Sequence, residues 1–209
     1  MIANEAWSGA DRRSSPSAAR NRDPILEVLR RVLPAEGRVL EIAAGTGEHA
    51  VHFAGALSGL TWQPTDPDAD SRRSIAAWRA EVGLPNLLPP LDLDVTREWP
   101  EGDVDAVVCI NMLHISPWTS TTALMAGVGA RLSEGGVLFV YGPFRRIGVP
   151  TAPSNEAFDE SLRSRNPAWG LRDLDAVEAE ARGRGLILRE VVEMPANNLS
   201  LVFERQARL

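Results

Sequence analysis

The segment Val39-Leu40-Glu41-Ile42-Ala43-Ala44-Gly45-Thr46-Gly47-Glu48-His49-Ala50 decides the fold class. It starts as a short apolar strand over residues 38–43, turns at two glycines and continues as a helix with apolar residues at positions 50, 53, 54 and 57. A strand, a tight glycine turn and a helix N-terminus bring backbone N–H groups close to a bound ligand. The segment therefore predicts a cofactor site at the start of a β-α unit.

Strands and helices alternate along the rest of the chain. The pair Asp23-Pro24 predicts a helix start before the segment, and apolar runs predict further strands over residues 60–65, 86–94, 104–112, 137–141, 186–193 and 199–205. This order predicts an α/β fold, a doubly wound, Rossmann-like, seven-stranded and mostly parallel sheet with an antiparallel C-terminal hairpin. Residues 1–22 are expected to form an N-terminal arm, residues 23–209 a single domain, and residues 143–171 a lid-like insertion within it.

Composition excludes several classes of protein. The 209 residues include 22 arginines, no lysine and 28 acidic residues, which gives a net charge of −6. Without lysine, neither a Schiff-base lysine nor a phosphate-loop lysine is possible, and the single cysteine, Cys109, excludes an internal disulfide or a multi-cysteine metal site. An acidic chain is poorly suited to bind nucleic acid or an anionic membrane. With no apolar run of about 18 residues and no secretory signal in residues 1–10, a cytoplasmic protein is expected.

Two kinds of cofactor fit the glycine turn. Gly45-x-Gly47-x-x-Ala50 matches the dinucleotide fingerprint G-x-G-x-x-G/A, which predicts a nicotinamide-dependent dehydrogenase. The carboxylate of Glu41, four residues before Gly45, favours a cationic ligand instead, because it would repel a pyrophosphate. With Glu41 included, the segment resembles the first motif of class I S-adenosylmethionine-dependent methyltransferases, acidic-x-Gly-x-Gly-x-Gly, with Ala43 in place of the first glycine.

That resemblance extends along the chain and implies S-adenosylmethionine as the cofactor. Asp66, after the second strand, matches the residue that binds the ribose, and Asp94-Val95 matches the position beside the adenine amine. Asn111-Met112 matches the loop where the methyl group meets its acceptor. The cofactor-binding residues implied in this way are Arg20, Asn21, Glu41, Ala43, Gly45, Gly47, His49, Asp66, Asp94, Val95, Asn111 and Met112.

A narrower resemblance rests on five further stretches, namely Arg20–Leu26, Trp62–Pro64, Phe158–Arg163, Trp169–Asp173 and Met194–Leu199. They are similar to the signatures of a mostly unassigned methyltransferase-like family, the one that includes methyltransferase-like protein 26. The similarity covers nearly the whole chain from about Arg20. It implies the fold and the cofactor, and it gives no substrate.

Candidates for the chemistry follow the strands over residues 104–112 and 137–141. His114 can orient or deprotonate an acceptor, because its ordinary pKa of about 6.5 suits that work, or it can merely hold its own loop. Tyr141 ends its strand at the carboxyl edge, where ligands bind in such sheets. The candidate substrate-binding residues are Trp118, Asp159, Arg163, Trp169, Arg172, Asn197 and Asn198.

Simpler roles are open for several of these residues. The charged members of the insertion can form a solvated surface network, or a lid that recognises an acidic or polar substrate. The two asparagines can simply form the turn of the hairpin. Glu48, His49 and His52 share a helix face, but a polar first turn over the cofactor is favoured over a metal site.

Together these features predict methyl transfer from S-adenosylmethionine to a small-molecule acceptor, with no metal involved. Two alternatives stay open, an NAD-dependent oxidoreductase and a non-catalytic protein that binds the cofactor and a partner protein. The sequence leaves open the acceptor, the acceptor atom and the oligomeric state.

Overall fold

Helices and strands alternate through the computed structural model, which describes residues 11–207. The helices are α1 (Pro16–Val32), α2 (Glu48–Ala56), α3 (Ala69–Val82), α4 (Trp118–Arg131), α5 (Pro153–Arg165) and α6 (Leu174–Arg182). The strands are β1 (Gly37–Ile42), β2 (Leu60–Pro64), β3 (Val104–Ile110), β4 (Leu132–Gly142), β5 (Phe144–Arg145), β6 (Arg172–Asp173), β7 (Leu186–Met194) and β8 (Asn198–Arg205).

The main sheet has six strands in the order β2-β1-β3-β4-β8-β7. Strands β1 to β4 are parallel, and β8 runs antiparallel to both β4 and β7. The predicted α/β fold, with a mostly parallel sheet and an antiparallel C-terminal hairpin, is confirmed.

The strand predicted over residues 86–94 accounts for the difference between six strands and the seven expected. This segment lies beside β2 but makes only two isolated parallel bridges, at Leu87 and at Leu91. Pro89 and Pro90 lie between the bridges, and a proline has no N–H with which to continue the ladder. The segment therefore follows the sheet edge without forming a regular strand.

Helices cover both faces of the sheet. On one face, α1 and α2 bury Ile25, Leu29 and Phe53 against the strands. On the other, α4 and α6 bury Leu124 and Val177. Strand β3 is buried on both faces, as expected for a central parallel strand. The carboxyl ends of the parallel strands are left at one edge, where loops can form a site.

Helix α1 begins earlier than the sequence predicted. Ser15 caps it by accepting a backbone hydrogen bond of 3.4 Å, and Pro16 occupies the first turn. Pro24, which was expected to start the helix, lies inside it. Ser15-Pro16 is the same kind of start signal as the predicted one, so local pattern alone does not choose between them. Part of the arm predicted over residues 1–22 is therefore helical, and residues 1–10 lie outside the described residues.

The insertion over residues 143–171 is closed by its own ends. Strands β5 and β6 stand at these ends and pair in parallel, Phe144 with Arg172 and Arg145 with Asp173. Helix α5 lies between them. The insertion is thus anchored where it leaves and rejoins the chain, and its role as a lid stays a prediction.

Candidate functional site

A cavity of about 510 Å³ lies at the carboxyl ends of β1, β2 and β3. Six of the predicted cofactor-binding residues line it, namely Ala43, Asp66, Asp94, Val95, Asn111 and Met112. The sequence did not single out the other lining residues, which are Ile42, Pro67, Asp68, Leu93, Ile110, Ile115, Ser116 and Ser120. Residues far apart in the chain meet here because parallel strands end at the same edge of a sheet.

Some of the missed residues carried a signal. Asp68 and Ser116 each lie two residues from a predicted site residue, and Asp68 also fits the N-cap of α3. Ser120 lines the cavity because α4 begins beside it. No local pattern could have indicated that placement.

The turn after β1 uses left-handed backbone at three positions. Ala43, Gly45 and Gly47 have φ angles of 52°, 58° and 90°. A Cβ atom at Gly47 would lie 2.9 Å from the Cα atom of Ile75 in α3, so only glycine lets the two segments pack this closely. Ala43 adopts a conformation that favours glycine, which explains why the motif it resembles has glycine there.

Asp66 is tied to this turn by backbone hydrogen bonds. Its Oδ2 atom accepts from the N–H of Gly45 at 2.9 Å, and its Oδ1 atom accepts from the N–H of Asp68 at 2.9 Å. The side chain is buried, and this desolvation raises the pKa of Asp66. The N–H of Gly45 is therefore not free to bind a pyrophosphate. The remaining lone pairs of the Asp66 carboxylate can accept a hydrogen bond from a ligand.

Three carboxylates line the cavity. One of them is Asp66. The second, Asp94, accepts hydrogen bonds from the N–H and hydroxyl groups of Thr96, and these bonds lower the pKa of Asp94. Asp68 caps α3 by accepting from Ser71, and these bonds lower its pKa too. Among the described residues that line the cavity there is no arginine or histidine. Such a lining favours a cationic ligand over a phosphate.

Glu41 lies one residue away from the cavity wall, which its neighbours Ile42 and Ala43 form. Its side chain is buried, and the Nε1 of Trp62 donates a hydrogen bond of 2.7 Å to its Oε2. Burial raises the pKa of Glu41 to about 8, an effect that the Trp62 bond only partly opposes. Direct contact of Glu41 with the cofactor stays a prediction.

A polar chain links α1, α2 and the end of β4. The Nε2 of His49 donates to the Oδ1 of Asn21 at 2.7 Å, and the Asn21 side chain also bonds to the hydroxyl of Tyr141. Burial lowers the pKa of His49 to about 4, so the ring is neutral at pH 7. Tyr141 is buried, and desolvation raises its pKa. Arg20, the residue before Asn21, is exposed and lies outside this chain of hydrogen bonds.

The polar first turn of α2 has separate partners for each side chain. Glu48 accepts from the N–H of Ser15 and from the hydroxyl of Thr46, while the Nε2 of His52 lies 2.8 Å from a carboxylate oxygen of Asp23. No group of three or more His, Cys, Asp or Glu side chains in residues 11–207 is placed to hold a metal ion. In the same part of the chain, no helix combines the length and the apolar character needed to cross a bilayer.

His114 is not among the residues that line the cavity, and its predicted catalytic role stays a prediction. It is 0% exposed, packs edge-on against the ring of Phe144 at 4.9 Å, and neither ring nitrogen has a hydrogen-bond partner among the described residues. Burial lowers the pKa of His114 to about 3. The ring occupies a core position because the insertion closes over the turn that carries it, which fits the structural role that the sequence left open.

The charged residues predicted to bind substrate are engaged within the protein. The Oδ2 of Asp159 accepts from the Nε of Arg163 at 2.9 Å and from Arg145 at 3.2 Å. Arg145 also pairs with Glu156 at 2.7 Å. Arg172 donates to backbone carbonyls. These contacts fit the surface network that the sequence left open, and binding of substrate by these residues stays a prediction.

The remaining substrate candidates also lie outside the cavity wall. Trp118 is half-exposed at the start of α4, and the ring of Trp169 lies 5.7 Å from the guanidinium of Arg165. Asn197 donates to the hydroxyl of Ser154 at 3.3 Å, and Asn198 donates to a carbonyl of its own turn. Left-handed backbone at Asn197, with φ of 56°, fits the turn-forming role that the sequence left open.

The class that this fold and site define is a Rossmann-like α/β domain with an acidic cavity at the carboxyl ends of its strands. Residues 12–205 match the family described as protein of unknown function DUF938, so the chain belongs to that family.

Solved structures with the same fold include several methyltransferases. An O-methyltransferase family protein from Burkholderia thailandensis has a TM-score of 0.78 and 15% identity over 92% of this chain and 58% of its own. An O-methyltransferase family 2 protein from Planctomyces limnophilus, in complex with apigenin, has a TM-score of 0.77 and 17% identity over 95% and 62%. The YcgJ protein from Bacillus subtilis has a TM-score of 0.71 and 13% identity over 91% and 100%. This chain thus spans less than two thirds of the two O-methyltransferases, and the likeness shows the fold.

Proposed function

We propose that the chain binds S-adenosylmethionine in the cavity and transfers its methyl group to a small molecule. The observation that carries the proposal is the lining itself: two carboxylates follow β2, a third follows the segment beside it, and the described lining residues include no basic side chain. These carboxylates fit the cofactor, because S-adenosylmethionine carries a cationic sulfonium and an ammonium group. Asp66 would hold the ribose, Asp94 the adenine amine, and the turn over residues 43–47 the amino-acid end.

The same geometry opposes the dinucleotide alternative. A pyrophosphate binds to free N–H groups at a helix N-terminus, but the N–H of Gly45 is bonded to Asp66. Glu48 adds a carboxylate to the first turn of α2. A pyrophosphate placed there would face like charge and lose its best donor.

The cofactor supplies an electrophilic methyl group when it is bound, and the protein's task is to align an acceptor with it. Alignment alone can lower such a barrier by about 7–11 kcal/mol. Asn111 and Met112 stand where the β3 end meets the cavity. Tyr141 stays a predicted contact of the acceptor: it ends β4 beside Asn21, but it is buried and is not among the residues that line the cavity.

An uncharged acceptor is the class that we infer. Arg145 and Arg163, which could have recognised an acid, are neutralised by Glu156 and Asp159. We further propose a cytoplasmic protein that acts on metabolites rather than on nucleic acid or membranes, since its net charge is −6. Membership of the group that includes methyltransferase-like protein 26 is part of the proposal and rests on the sequence signatures.

The test is incubation with methyl-labelled S-adenosylmethionine and fractionated cell metabolites, followed by mass analysis of the products. We expect label in a small, uncharged compound, and loss of that label with Asp66→Ala. Asp92→Ala is the matched control, because Asp92 is an exposed carboxylate paired with Arg72 at 3.1 Å and lies outside the cavity wall. Cofactor binding with no transfer to any fraction would instead support the non-catalytic alternative.

A further inference from the structure

The turn from Met112 to Ser116 forms one wall of the cavity and is held from the side of the insertion. Met112, Ile115 and Ser116 line the cavity, whereas Leu113 and His114 between them are buried. The turn is a short 3-10 helix that starts after Asn111. Its position decides the shape of this wall.

Three carbonyl groups of this turn accept hydrogen bonds from the end of the insertion. The Nε of Arg172 donates to the carbonyl of Leu113 at 2.9 Å, and its Nη2 donates to the carbonyl of Ser116. The N–H of Gly170 donates to the carbonyl of His114 at 3.0 Å. A buried carbonyl without a donor is unfavourable, so these bonds favour one position of the turn.

Asp159 in turn fixes the segment that carries these donors. Its Oδ1 accepts from the N–H of Leu171 at 2.7 Å, and its Oδ2 binds Arg163 at 2.9 Å and Arg145 at 3.2 Å. A Cβ atom at Gly170 would lie 2.5 Å from the same Oδ1, so the backbone passes this carboxylate closely. The contacts run from α5, through Gly170 and its neighbours, to the cavity wall.

We infer that Arg172 is a positioning residue for the cofactor cavity, and that Asp159 acts through it. The inference rests on the proposed function, and it gives the Phe158–Arg163 and Trp169–Asp173 stretches a common purpose. A guanidinium can donate in a planar fork to two carbonyls at once, whereas an ammonium acts as a point charge. A lysine at this position could therefore replace only part of the hydrogen bonding that Arg172 makes to the two carbonyls.

The experiment compares Arg172→Met and Arg172→Lys with the unmodified chain, using calorimetric titration of S-adenosylhomocysteine below the melting temperature of every variant. We expect about tenfold weaker binding for Arg172→Met and an intermediate loss for Arg172→Lys. Arg189→Met is the matched control, since the exposed guanidinium of Arg189 pairs with Glu204 at 3.0 Å between β7 and β8, and Arg189 is not among the residues that line the cavity. Its affinity should stay within twofold of the unmodified chain.

Two further readouts separate positioning from general destabilisation. Amide hydrogen exchange should rise in the Met112–Ser116 turn of Arg172→Met and stay unchanged in β1 and α2. In a double-mutant cycle, Asp159→Asn should weaken binding alone and have a smaller effect on top of Arg172→Met, because both residues hold the same Met112–Ser116 turn. Arg172 variants with unchanged affinity would overturn this inference alone. An unmodified chain that fails to bind S-adenosylhomocysteine would overturn the proposed function and this inference with it.

Discussion

Replacing Glu41 by glutamine tests whether a protonated carboxyl group lies buried beneath the glycine turn. Burial raises the pKa of Glu41 from 4.5 to about 8, and Trp62 donates to its Oε2 at 2.7 Å. Glutamine keeps an acceptor oxygen for Trp62 and resembles the protonated carboxyl group in shape. Glu41→Gln should therefore fold normally, and its stability should no longer depend on protonation of the carboxyl group at position 41.

The magnitude follows from proton linkage. Between pH 4.5 and about 8, the native protein holds a proton at Glu41 that the unfolded chain has released. The free energy of unfolding then falls as pH rises, by about 1.4 kcal/mol per pH unit in the middle of this interval, and levels off above the native pKa. From pH 6 to pH 8, we expect the unmodified protein to lose about 2 kcal/mol relative to Glu41→Gln. The buried histidines shift stability in the opposite direction, but they are present in both proteins and cancel in the difference.

Urea unfolding at pH 6, 7 and 8 measures this difference. Glu36→Gln is the matched control, because Glu36 is an exposed glutamate directly before β1. Its pH dependence should parallel that of the unmodified protein. If Glu41→Gln also ran parallel to the unmodified protein, Glu41 would be ionised in the native state and the reasoning from burial would be refuted.

Three other substitutions test the local structure. Ala43→Gly should change the free energy of unfolding by less than about 1 kcal/mol, because the relief of strain in left-handed backbone offsets the added entropy of a glycine in the unfolded chain. In the same urea unfolding experiment, Ala54→Gly inside α2 should lower the free energy of unfolding by about 1 kcal/mol or more. Gly47→Ala should cost about 2 kcal/mol or more because of its φ of 90° and its contact with Ile75, and its melting temperature should drop accordingly. His114→Leu should leave the free energy of unfolding unchanged or raise it by up to about 1 kcal/mol, because the ring nitrogens have no partners among the described residues. This variant should bind S-adenosylhomocysteine as the unmodified chain does. A large loss of affinity would support a role for His114 at the site.

The part of the site that the sequence predicted is the part fixed by topology. Asp66, Asp94 and Asn111 each follow an element that runs to the same sheet edge, so their meeting in one cavity follows from strand order alone. The turn at Gly45 and Gly47 was predictable for a similar reason, because left-handed backbone between a strand and a helix strongly favours glycine.

The parts that the sequence could not predict depend on long-range contacts or on equal local signals. The sequence leaves open whether Arg163 joins a surface network or recognises substrate, and only the fold shows its ion pair with Asp159. The sequence leaves His114 open as an acid or base or as a residue that holds its own loop, and only the fold shows its burial against Phe144. Ser15-Pro16 and Asp23-Pro24 are equivalent helix starts, and the choice between them depends on packing.

The most direct test of the central claim is calorimetric titration of the unmodified chain with S-adenosylhomocysteine and, separately, with NAD. An acidic cavity with the N–H of Gly45 already bonded to Asp66 predicts a single saturable site for S-adenosylhomocysteine and no heat with NAD. Asp66→Ala should weaken that binding by about 1.5–3 kcal/mol, the contribution of a hydrogen bond to a charged group. Saturable binding of NAD with none of S-adenosylhomocysteine would contradict the account and identify the glycine turn as a dinucleotide site.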